Sequence, residues 1–119
     1  MYSPSVASLR RIFSYEEARR LLPTVRERTR LALEALDSIE IPPEESEEEE
    51  TRRGKLQEAA GEVLAKWAHE VQALGIEVKG PWLVDFDSGA GYYCWKWPEE
   101  SLEFFHGYEE GFSGRVRIQ

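Results

Sequence analysis

Trp67-Ala68-His69-Glu70-Val71-Gln72-Ala73-Leu74-Gly75-Ile76-Glu77-Val78 is where the chain changes its period, and that change decides the fold. Upstream of it, Leu56, Ala60, Val63, Trp67, Val71 and Leu74 recur at spacings of four, three, four, four and three. That is the stripe of an amphipathic helix, close to a heptad seam. Gly75 has the conformational freedom to cap the helix end. Beyond it Ile76-Glu77-Val78 alternates as a short strand does.

Working outward toward the N-terminus, the helix begins at about Thr51, behind the run Asp37 to Glu50. Pro42-Pro43 and the glutamates after it bury almost nothing, so residues 40–50 read as an acidic loop. Before the loop, Ser14 and Glu17 carry the spacing of a capping box. Pro23 cannot donate an amide proton and pushes Leu22 out of helical geometry. The pattern therefore predicts a short helix over about Tyr15 to Leu21 and a longer one opening at Pro23, with Val25, Thr29, Ala32, Leu33 and Leu36 on its apolar stripe. Residues 1–12 read as a loose lead-in. Two long helices joined by a loop imply an antiparallel helical hairpin.

Toward the C-terminus, Gly80-Pro81 turns the chain. Trp82 to Phe86 and Tyr92 to Trp97 are aromatic and β-branched, and Asp87-Ser88-Gly89-Ala90-Gly91 between them is turn chemistry. A hairpin follows, then a strand over Leu102 to Phe105 and a last one over Val116 to Ile118. The expected fold is α+β, a long helical hairpin followed by a small antiparallel β-meander, in a single domain over residues 1–119.

A formal charge of −8 argues against nucleic acid as a partner, because phosphate binding needs a concentrated positive field. Arginines crowd the N-terminal third and glutamates the loop, and the plain reading of both is solvated faces. The single Cys94 excludes an internal disulfide and fits a reducing cytoplasm. No apolar run reaches the length of a membrane span, and Met1 to Arg11 lacks the apolar core of a secretory signal. The absence of Asn, with Glu and Arg preferred, matches proteins of heat-adapted organisms.

Candidate chemistry concentrates in Phe104-Phe105-His106-Gly107-Tyr108-Glu109-Glu110-Gly111-Phe112-Ser113-Gly114-Arg115. If Gly107 to Gly111 turn, His106 and Glu110 face the same way, and a histidine beside a carboxylate suits acid–base work or metal binding. Arg115 suits a two-pronged grip on a carboxylate or phosphate. Asp85 and Cys94, on the proposed hairpin, are the residues that can join them. The plain alternative is a buried polar network of His106, Arg115, Glu110 and Asp85 that fixes the loop. The sequence has no paired metal-ligand spacing, so no metal-ligand set and no cofactor is assigned. His69, beside the stripe of the second helix, reads as a surface histidine, and Cys94, between Tyr93 and Trp95, as a small core residue rather than a nucleophile.

Four stretches resemble the bacterial family catalogued as domain of unknown function 2203. They are Phe13 to Ala18 running on to Leu21-Leu22-Pro23, Gly80 to Phe86, Tyr93-Cys94-Trp95, and Phe105-His106 through Gly111-Phe112-Ser113-Gly114-Arg115. The chain departs from that family's pattern at Phe105, where tryptophan is usual, and after Asp87, where proline is frequent. The resemblance implies no activity.

Two functional readings follow. In the first, the chain is a non-enzymatic interaction or adaptor module, a homodimer pairing through its helical hairpin, because the seam and the surplus of aromatics exceed what one partner helix covers. In the second, it is a small ligand-, anion- or metal-binding protein or a hydrolase-like enzyme, with His106, Glu110, Arg115 and Asp85 at its site. Contact of the N-terminal arginines with an acidic partner ranks below both.

Overall fold

The computed structural model describes residues 10–42 and 48–119. Most of the lead-in and the centre of the acidic loop therefore lie outside the described residues. Helix α1 spans Tyr15–Asp37 and opens on the expected capping box. The Glu17 amide donates to Ser14 Oγ at 3.1 Å, and the Ser14 amide donates to Glu17 Oε1 at 2.9 Å. The predicted break at Pro23 does not occur, and one helix runs through it. Pro23 is on the exposed side, where its missing N–H removes a single rung, while Leu22 and Val25 beside it are buried in the core. That packing carries the helix past the lost hydrogen bond.

Helix α2, Glu49–Gln72, packs on α1 near its own C-terminal end. There the Trp67 indole N–H donates to Thr29 Oγ1 at 2.9 Å and Arg28 pairs with Glu70 at 3.1 Å. Five strands follow: β1 (Glu77–Gly80), β2 (Leu83–Asp87), β3 (Tyr92–Lys96), β4 (Phe104–His106) and β5 (Val116–Arg117). They pair antiparallel in sequence order, which is the expected meander behind a helical hairpin. The fourth strand starts two residues later than predicted and takes in His106. Leu102 is drawn away from the ladder: its side chain joins the core, and its carbonyl accepts from the Tyr15 hydroxyl at 2.8 Å. No described helix is long and apolar enough to cross a membrane.

The sheet has two different faces, because side chains alternate along each strand. Val84, Phe86 and Trp95 enter one cluster with Phe13, Ala18, Leu22, Val25, Trp67 and Val71, which is the core between sheet and helices. Phe13 meets Phe86 edge to face at 5.3 Å. The residues between them, Asp85 and Asp87, point the other way, and they too are buried. Something polar therefore lies under cover on the face away from the helices.

Candidate functional site

Strand register brings the ionisable residues together. Asp85 stands opposite Cys94 in the β2–β3 pair, and Tyr92, two residues along the same face, stands opposite His106 in the β3–β4 pair. Asp85, Cys94 and His106 thus occupy three neighbouring strands on one face. Their ligand-type atoms all lie within 4.8 Å of one another, and all three residues are buried. Cys94 is fully buried yet stands apart from the apolar cluster that holds its neighbour Trp95. The expectation of Cys94 as a core residue is correct about burial and wrong about company.

His106 Nε2 faces the Asp85 carboxylate at 3.0 and 3.1 Å from its two oxygens. The other ring nitrogen, Nδ1, is 2.8 Å from the Gly107 carbonyl. A carbonyl only accepts, so Nδ1 carries a proton and donates it there. Burial first, and then the Asp85 carboxylate, push the Cys94 thiol up to about 12, with Arg115 pulling weakly the other way. Cys94 is therefore a protonated thiol at neutral pH and not an activated nucleophile.

The C-terminal stretch folds back over this face. A cavity of about 290 Å³ separates the two, lined by Lys79, Asp85, Cys94 and His106 from the sheet and by Glu110 and Phe112 from the covering segment, among others. Glu110 lies across the backbone of Gly107 and Gly114: a Cβ on Gly107 would come within 2.7 Å of Glu110 Oε1, and one on Gly114 within 2.9 Å of Glu110 Cβ. Lys79 sits 4.3 Å over the Tyr92 ring and pairs with Glu77 at 3.2 Å. Burial is the largest influence and works against the Lys79 charge, but Glu77 and Tyr92 together outweigh it and the net shift is upward.

Of the four residues singled out from sequence, Asp85 and His106 are bonded to each other and Glu110 shares their cavity. Arg115 adjoins the cluster through the Cys94 thiol, and its main partner is a carboxylate outside the cavity. It grips Glu99 with both terminal nitrogens, at 3.0 and 2.8 Å, and stacks 4.0 Å from Phe104 and 4.1 Å from Phe112. Lys79 is a cavity residue absent from the sequence-based candidates, and Tyr108 lies in the candidate stretch but had no role there. Lys79 falls in the irregularity of the β1–β2 register between Val78 and Gly80, so period two alone does not place it beside Glu77 and Asp85. His69 is exposed on α2, as expected.

These features define an α+β protein with a buried polar cluster beneath a glycine-rich cover, on the sheet face away from its helices. The profile of the family described as an uncharacterized conserved protein (DUF2203) matches residues 11–118, and the chain belongs to that family. No curated protein and no solved structure matches the chain.

Proposed function

We propose that the chain is a small-ligand-binding protein and that its ligand is a cation, held in the cavity over Asp85 and His106. The observation that carries the reading is the burial of Asp85, 2% exposed, at a cavity floor rather than in the apolar core. Burying an ionisable group is costly, and such groups gather where a protein uses them. The balance of charge sets the sign of the ligand. Asp85, Glu109 and Glu110 line the cavity against the single ammonium of Lys79, which is 3.2 Å from Glu77 and 4.0 Å from Asp85. Arg115, the residue suited to an anion, is engaged with Glu99.

The test is a thermal-shift and NMR titration of the full chain with Zn²⁺, Mn²⁺, Mg²⁺ and the diamine putrescine, with phosphate and sulfate alongside. At least one cation should raise the melting temperature and move the His106 ring signals, and His106→Gln should abolish both effects. A response to the anions alone, or to nothing, removes the reading.

A specific observation also supports an interaction module. Among its described residues α2 buries only Trp67 and Val71, while Leu31 of α1 and Leu56 of α2 stay 44% and 39% exposed. A groove of about 220 Å³ runs between the helices beside Leu31, Ala35 and Val63. A second hairpin laid there gives a four-helix homodimer. Light scattering at micromolar concentration should then report twice the chain mass, and Leu31→Glu should halve it. A strictly monomeric mass in the unmodified chain ends that reading. The two readings use opposite ends of the molecule and are compatible.

A further inference from the structure

We infer that Asp85, Cys94 and His106 form a binding site for one zinc-class divalent metal ion, a deepening of the cation reading that rests on it.

The first argument is the tautomer. Nδ1 of His106 donates its proton to the Gly107 carbonyl at 2.8 Å, so in the neutral ring Nε2 is the nitrogen with the lone pair. What Nε2 meets is a carboxylate, 3.0 Å away. A lone pair facing a carboxylate at that distance is repulsive unless a positive charge sits between them, either a second ring proton or a metal ion. A ring N–H fixed by a backbone carbonyl, with the other nitrogen free, is the usual outer-shell arrangement of a metal-binding histidine.

The second argument is the donor set. A proton between His106 and Asp85 needs no third group, yet Cys94 is also there, its sulfur within 4.8 Å of both partners. Around a tetrahedral ion with bonds of about 2.0–2.3 Å, neighbouring donor atoms stand roughly 3.3–3.6 Å apart. The His106–Asp85 separation of 3.0 Å is already near that value, and the Cys94 sulfur, within 4.8 Å of both, is the donor that must draw closer. Thiolate, imidazole and carboxylate together select zinc or a similar borderline ion over magnesium or calcium. Binding releases the Cys94 proton to solvent, and the resulting thiolate and the Asp85 carboxylate together balance the divalent charge. Lys79, at 4.0 Å from Asp85, and Arg115, beside Cys94, are the flanking cations.

The third argument is access. Three protein ligands leave the fourth position of such an ion to water or substrate, as sites that work on a ligand do. The cavity of about 290 Å³ opens beside the cluster and has room for that fourth partner. Glu110 is part of the same lining.

The experiment uses the full chain, stripped with chelator and reloaded. Zn²⁺ is titrated against a chromogenic chelator, and Co²⁺ is used as the spectroscopic probe. The unmodified chain should bind one equivalent, and the Co²⁺ form should show a sulfur-to-metal charge-transfer band in the near ultraviolet. Cys94→Ser should lose that band. His106→Gln and Asp85→Asn should each weaken Zn²⁺ by at least about a hundred-fold, beyond what outer-shell changes cost. Far-UV circular dichroism establishes that each variant is folded, and Cys94→Ala replaces Cys94→Ser if that variant is not. The inference is overturned if the folded, unmodified chain binds neither ion, or if the Co²⁺ complex lacks the band. It is also overturned if binding survives in His106→Gln and disappears in His69→Ala, which marks surface capture. Failure here with putrescine or Mn²⁺ still shifting the His106 signals leaves the cation reading standing without the zinc-class site.

Discussion

Tyr108 donates a hydrogen bond of 2.7 Å to Asp87 across the face of the sheet that carries the polar cluster. Arg10 reaches the same pair, ion-paired to Asp87 through Nε and donating to the Tyr108 hydroxyl at 2.7 Å. One carboxylate at the end of β2 thus ties the segment before α1 and the covering segment to the sheet. The Phe13 amide adds a backbone bond of 2.7 Å to the Asp87 carbonyl. The cover over the cavity is held at this point by charge and hydrogen bonds more than by apolar contact.

Asp87 should therefore set the acid limit of stability. Burial pushes its carboxyl up, but the hydrogen bonds from Arg10, Tyr108 and the Gly89 amide outweigh this, and the net shift is downward from 3.8. A carboxyl depressed in the folded state contributes stability that is fully present above its unfolded value and is lost as pH falls through the folded one. Asp87→Asn should cost about 1–3 kcal/mol at pH 7 and less at about pH 3. Urea unfolding at the two pH values measures this. Equal losses at both would mean that the charge on Asp87 contributes nothing.

Gly91 is the glycine on which the site most depends. It has φ +155 at the start of β3, and a Cβ there would come within 2.8 Å of the His106 carbonyl and run into the Phe105 ring. Gly91→Ala should destabilise the chain by about 1–3 kcal/mol, as overpacking does. It should also shift the His106 ring signals, because the crowded atoms belong to β4. Gly54 and Gly61 in α2 are the controls, since a Cβ at either meets nothing within 4 Å. Alanine at each should raise stability by about 0.5–1 kcal/mol. Thermal unfolding of the three variants decides the matter, and a neutral Gly91→Ala would mean that β4 yields easily.

The architecture was legible from periodicity because its elements follow the apolar pattern closely. The stripe through Trp67 and Val71 is where α2 is buried, and the change of period after Gly75 is where the sheet begins. Pro23 misled for a definite reason: a local rule about one missing donor was applied where buried neighbours on the same helix decide the outcome. The site was half legible. Turn chemistry at residues 87–91 implies a hairpin, and its register pairs Asp85 with Cys94. That His106 joins them depends on where β4 starts, which Leu102 sets by leaving the ladder for the core. The partner of Arg115, Glu99, was not legible, because it comes from the turn after β3 and no local spacing reveals a contact across strands.

Arg115 should behave as a structural clamp. Its fork meets both oxygens of Glu99, and the Phe104 and Phe112 rings lie on either side of its guanidinium. Burial works against its charge, but Glu99 and Cys94 together outweigh this and the net shift is upward. Glu99 is anchored in turn, accepting from the Lys96 amide at 2.8 Å, while its carbonyl accepts from the Trp95 indole at 2.7 Å. Arg115→Ala should cost about 1–3 kcal/mol by chemical denaturation. Arg115→Lys should recover less than half of that, because an ammonium neither forks nor stacks. Full recovery by lysine would reduce the clamp to a simple charge pair.

The helical hairpin has its own polar fastening, and its test is independent of the site. The Trp67 indole donates to Thr29 Oγ1 at 2.9 Å, and the Thr29 hydroxyl donates on to the Val25 carbonyl at 2.8 Å. Both residues are almost wholly buried, so water cannot replace a lost partner. Thr29→Val keeps the shape and strands the indole N–H, which should cost about 1–3 kcal/mol. Thr29→Ser keeps the hydroxyl and should cost less. Trp67→Phe removes the donor along with packing, and its own loss is larger. The decisive quantity is the coupling: in the double variant Thr29→Val with Trp67→Phe, the indole that needed the hydroxyl is gone. The combined loss should then fall short of the sum of the single losses by 0.5 kcal/mol or more, roughly the scale seen for residues in direct contact. Strict additivity in urea unfolding would show that the bond holds the two helices no more tightly than their packing alone.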